Sequence, residues 1–77
     1  MAERLRAGQD GWDAAHAGAK ATANPHAPDS KGYYRWHQQW HRGRAEMARA
    51  AREHKTADKY AELATLYGRM ADDAGIL

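Results

Sequence analysis

The sequence predicts a small all-α protein of two to three helices: a helix, a proline-containing linker, then a long helix with a bend near residues 54–56 as the alternative. Three observations carry this prediction. Apolar and small residues recur at steps of three and four along the chain. No segment alternates apolar and polar residues with a period of two, as a half-buried strand would. Alanine, the strongest helix former, supplies 18 of the 77 residues.

The first helix is expected from Ala2 to about Ala21, where Leu5, Trp12, Ala15 and Ala19 keep helical spacing. Gly8, Gly11, Ala15 and Gly18 also recur at steps of three and four. They form a smooth face on which another backbone or a large ring can lie close. The stretch TANPHAPDS (Thr22 to Ser30) ends this helix, because two prolines and the Asn before the first favour extended backbone. Asp29 or Ser30 is the N-cap of the next helix.

That second helix is expected from Lys31 to around His54. At about 100° per residue, Tyr33, Trp36, Trp40, Gly43, Met47, Ala50, Ala51 and His54 share one stripe. Arg35, Gln38, Arg42, Glu46, Arg49 and Glu53 lie opposite, and His37, His41 and Arg44 form a flank open to solvent. Trp12, Gly18, Pro25, Trp36 and Trp40 are assigned to the structural core, the tryptophans packing on the glycine-and-alanine face of the first helix. In the tail, Tyr60, Leu63, Tyr67 and Met70 step by three and four, a stripe that either folds back onto the domain or meets a second copy or another protein. Thr56 would cap a separate third helix. The alanine-rich run through RAEMARAAREHK favours one long helix instead.

Residues 1–77 read as a single domain with a thin core. There is no Phe, Val or Cys, and at this size a core supplies about 3–5 kcal/mol. The fold is therefore expected to lean on a partner. The start MAERLRAGQDG lacks the apolar run of a signal peptide, and no apolar stretch approaches the ~18 residues of a membrane span. With cysteine absent, a cytoplasmic location is expected. Charge is uneven: residues 31–59 carry eight Lys and Arg against three acidic side chains, between two mildly acidic ends. Such a block suits an anionic partner.

The stretch YYRWHQQWHRGR (Tyr33 to Arg44) concentrates the candidate chemistry. His37 and His41 have the spacing of two zinc ligands in H-E-x-x-H, but Gln38 replaces the Glu base and no third ligand is evident. No metal or cofactor is expected. The chain lacks a phosphate-binding loop and a Cys nucleophile, and its one serine, Ser30, reads as a cap, so no catalysis is expected. Aromatic rings beside guanidinium groups suit single-stranded RNA. The candidate RNA contacts are Lys31, Tyr34, Arg35, His37, His41, Arg42, Arg44 and Arg49.

The order GWDAAHAG, NPH, WHQQW resembles the ribosome modulation factor family. Gly11 and Trp12 match the family's Gly-aromatic pair, and Ala14, Ala15 and Gly18 its small face. Asn24, Pro25 and His26 match its tripeptide, and Trp36 and Trp40 its paired tryptophans. The resemblance covers residues 6–48; residues 49–77 are an added C-terminal helical extension. It implies a helix–linker–helix core in a cytoplasmic stress-response protein. Such a protein binds the small ribosomal subunit near the 16S rRNA 3′ end, inhibits translation and promotes ribosome hibernation. The chain departs from the pattern at Gln39, where the family has glycine, at His26, where it has tyrosine, and in an N-terminus diluted by Glu3 and Asp10. A different class, a protein-interaction module forming a homodimer or docking on a host or phage protein through the C-terminal helix, is the alternative.

Overall fold

The computed structural model describes residues 7–76, with side chains from residue 10 to residue 74. Three helices follow one another: α1 (Ala7–His16), α2 (Lys31–Ala50) and α3 (His54–Ile76), with a 3-10 turn at Ala21–Ala23 between the first two. There is no strand among the described residues, so the all-α expectation is met. The expected start at Ala2, and Leu5 with it, lies outside the described residues.

α1 stops earlier than its composition suggests because of Gly18. Its φ of +84° is left-handed, a conformation that costs glycine nothing. There the Gly18 N–H donates to the Ala15 carbonyl (3.1 Å) and the Ala19 N–H to the Ala14 carbonyl (2.9 Å). This pair of bonds is the Schellman termination. Gly18 is thus an exposed stop signal and Pro25 an exposed linker residue, which corrects their assignment to the core. Trp12 is half-buried.

Local hydrogen bonds fix the linker. Asn24 Nδ2 donates to the Tyr33 carbonyl, and Asn24 Oδ1 accepts from the His26 N–H, each at 3.0 Å. Ser30, rather than Asp29, caps α2, its Oγ accepting from the Tyr33 N–H at 3.1 Å. Asp29 instead takes a φ of +67° and accepts from the Tyr34 hydroxyl at 2.8 Å.

α2 and α3 do not form one long helix. The Arg52 N–H donates to Arg49 (2.9 Å) and the Glu53 N–H to Ala48 (2.8 Å), a second Schellman termination, with Arg52 itself at φ +62°. The chain reverses there, and the Arg35–Asp72 ion pair (2.8 Å) joins the start of α2 to the end of α3. A left-handed arginine leaves no mark on a sequence, since glycine is the expected signal.

The reversal makes α2 the central helix, packed on α1 by one face and on α3 by another. Trp36, Trp40 and Gly43 face α1. The contact is close: a Cβ on Gly43 would come within 2.8 Å of Ala15 Cβ, and one on Gly11 would overlap the Trp36 carbonyl oxygen. Ala15, Trp36 and Trp40 form the core cluster, as the sequence predicts for the two tryptophans. The second face carries His37, His41, Ala45 and Ala48, all buried. α3 meets it with Ala57, Ala64, Gly68 and Ala71, a stripe of small residues that lets two helix backbones approach.

Candidate functional site

The helices divide the Tyr33–Arg44 stretch between interior and surface. His37 and His41 are each only 6 % exposed, which corrects their expected place on a solvent-facing flank. The wheel of α2 taken alone cannot anticipate this, because a central helix buries two faces and α3 covers the second.

Both imidazoles stack on one ring of α3. Tyr67 lies 4.7 Å from His37 at an interplanar angle of 18° and 5.0 Å from His41 at 23°. Tyr33 meets His37 edge-on at 4.6 Å, and Trp40 meets His41 edge-on at 4.9 Å. Tyr60 closes the seam against Trp40 at 6.1 Å. Tyr60 and Tyr67 therefore turn toward α2 and do not belong to an outward stripe, whereas Leu63 stays 40 % exposed. The expected stripe of Tyr60, Leu63, Tyr67 and Met70 is split between interior and surface.

Burial lowers the pKa of both histidines below the usual 6.5, with the neighbouring His41 adding to the effect on His37. In His41, a backbone hydrogen bond opposes the shift. His41 Nδ1 lies 2.7 Å from the His37 carbonyl, which can only accept, so Nδ1 carries the proton. His37 Nδ1 is buried with no hydrogen-bond partner among the described residues. The pair is a neutral, aromatic-lined part of the interior. No group of three His, Cys, Asp or Glu side chains converges among the described residues.

The arginines divide in the same way. Arg35 donates to Asp72 and to Gln38, each at 2.8 Å. Arg44 lies over the Trp40 ring at 4.9 Å and donates to the Ala19 carbonyl at 3.1 Å, beside the Trp40 Nε1 donor at 2.9 Å. Tyr34 is held by Asp29. Of the eight candidate RNA contacts, Lys31, Arg42 and Arg49 remain exposed. Arg49 has one loose ion pair, to Asp58 at 4.0 Å.

Arg42 and Arg49 stand seven residues apart, two turns on one edge of α2. They border a shallow groove between α2 and α3 whose lining includes Ala45, Ala61 and Ala64. At the adjoining end, Arg52 and Lys55 are exposed and make no ion pair among the described residues. Motif reading passed over these two; the block of basic charge was their only signal. No described helix is long and apolar enough to cross a membrane.

Comparison of the chain with family models, curated proteins and solved structures returned no match.

Proposed function

We propose that this chain is a non-catalytic, cytoplasmic protein that binds structured RNA, with the small ribosomal subunit as its implied target. One observation carries the reading: Arg42 and Arg49 border one groove, and Arg52 in the turn and Lys55 at the start of α3 are exposed, all four without strong internal partners. Exposed guanidinium and ammonium groups so close along the chain suit a phosphate backbone. The resemblance to ribosome modulation factor supports the choice of target. Its motif residues, however, serve the fold: Gly11 admits Trp36, Asn24 ties the linker to Tyr33, and Trp40 holds Ala19. The binding surface is therefore assigned to the basic edge and not to the motif.

The test is sedimentation of the protein with purified ribosomes through sucrose at low and moderate salt. Co-migration with the small subunit or the 70S particle is expected, lost in R42E/R49E. With about four phosphate contacts, raising salt fourfold should weaken binding on the order of 100-fold. A protein that stays at the top of the gradient at both salts overturns the reading. A second reading, protein–protein interaction through α3, rests on the exposure of Leu63 and Leu66.

A further inference from the structure

We propose that the outer face of α3 is a homodimer interface, two copies pairing antiparallel about a two-fold axis near Leu66. The inference is independent of RNA binding and uses a different surface.

α3 has two unlike faces. The inner one is the small-residue stripe against α2. On the outer one, Leu63 and Leu66 are the large hydrophobic side chains left exposed, at 40 % and 46 %. Met70, four residues on from Leu66, continues the ridge. Shallow hollows lie on either side, one bordered by Leu66 with Glu62 and Arg69, the other by Met70 with Tyr34 and Asp73. A ridge flanked by hollows is the shape a matching ridge fills.

The charges around the ridge specify what fills it. Lys59 lies seven residues before Leu66 and Asp73 seven after it. Glu62 lies four before and Arg69 three after. All four are exposed and have no ion pair among the described residues. A second copy laid antiparallel across Leu66 sets Lys59 against the other copy's Asp73 and Glu62 against its Arg69, each pair occurring twice. Laid parallel, the same helices oppose Lys59 to Lys59 and Asp73 to Asp73. The pattern is thus self-complementary in one direction only, as a two-fold interface requires, and like-charge contact disfavours the other direction. A single helix face lies at the low end of specific interface areas, so the dimer is weak and concentration-dependent.

Sedimentation equilibrium of the full chain, from micromolar to millimolar concentration, tests this. The apparent mass should rise from 8.6 kDa toward twice that value. L66E should stay monomeric with unchanged helical circular dichroism. K59D and D73K should each stay monomeric alone and pair when mixed, because the mixture restores both opposite-charge contacts. Three results would each overturn the proposal: a wild-type chain that is monomeric at millimolar concentration, L66E associating as well as wild type, or K59D and D73K pairing no better together than apart.

Discussion

Gly11→Ala sets two effects of opposite sign against each other. In an exposed helix interior, alanine is favoured over glycine by about 1 kcal/mol, so sequence alone predicts a gain. In the structure Gly11 is buried where α1 crosses α2. A Cβ there would overlap the Trp36 carbonyl oxygen and come within 3.0 Å of the carbonyl carbon and 3.2 Å of Trp36 Cα. These are backbone atoms in the middle of a helix and cannot rotate aside. The helices must part by roughly 1 Å to regain van der Waals separation. That opens the Ala15–Trp36–Trp40 cluster and stretches the Trp40–Ala19 hydrogen bond. Overpacking costs about 1–3 kcal/mol and a weakened hydrogen bond up to about 1 kcal/mol. Less the propensity gain, the expected net loss is up to about 3 kcal/mol, centred on roughly 1.5 kcal/mol. Urea unfolding followed by far-UV circular dichroism should show the midpoint falling by about 1 M, given a slope near 1–2 kcal/mol/M for so small a domain. Gly68→Ala is the control, because its added Cβ would meet Gln38 Nε2, 2.6 Å away at the end of a flexible side chain that can move. It should be neutral or stabilising by up to about 1 kcal/mol. If Gly11→Ala unfolds at the same or a higher urea concentration than wild type, the close helix crossing is wrong.

Arg52→Gly relieves a left-handed non-glycine residue at the reversal and should stabilise the chain by about 0.5–1 kcal/mol, seen as a raised urea midpoint. Trp36→Ala empties the centre of the core and should cost about 3–5 kcal/mol, enough to unfold the domain by circular dichroism. A folded Trp36→Ala protein would contradict the packing role. His37 and His41 have pKa values below 6.5 when folded, so the unfolded chain binds protons first as pH falls. Their contribution to stability is complete above about pH 6.5 and is lost on acidification toward the folded values, at up to about 1.4 kcal/mol per pH unit for each histidine. Urea midpoints at neutral and mildly acidic pH should show this slope, and H37F/H41F should flatten it.

Much of what depends on neighbouring residues was legible in the sequence, but not the end of α1 before Gly18 nor the break between α2 and α3 at Arg52. Helical spacing marked the helices, Asn24-Pro25 and Ser30 marked the linker and cap, and the glycine-and-alanine face of α1 pointed to its packing with Trp36 and Trp40. The linker and cap are local relations whose bonds span two or three residues, whereas the packing of Trp40 on the end of α1 joins residues 21 apart. The place of His37 and His41 was not legible in that way. It depends on where α3 lies, which depends on a reversal made by a left-handed arginine carrying no sequence signal. The same reversal separates the outward Leu63 from the inward Tyr60 and Tyr67, and draws Arg35 into a bond with Asp72, far along the chain. The sequence by itself determined the all-α class, the linker and the basic charge of the middle segment, while the division of the C-terminal part into α2 and α3 came from the structure. Only the tertiary structure decided which of those charges and rings face a partner, because a helix wheel shows which residues share a face but not how many faces will be covered.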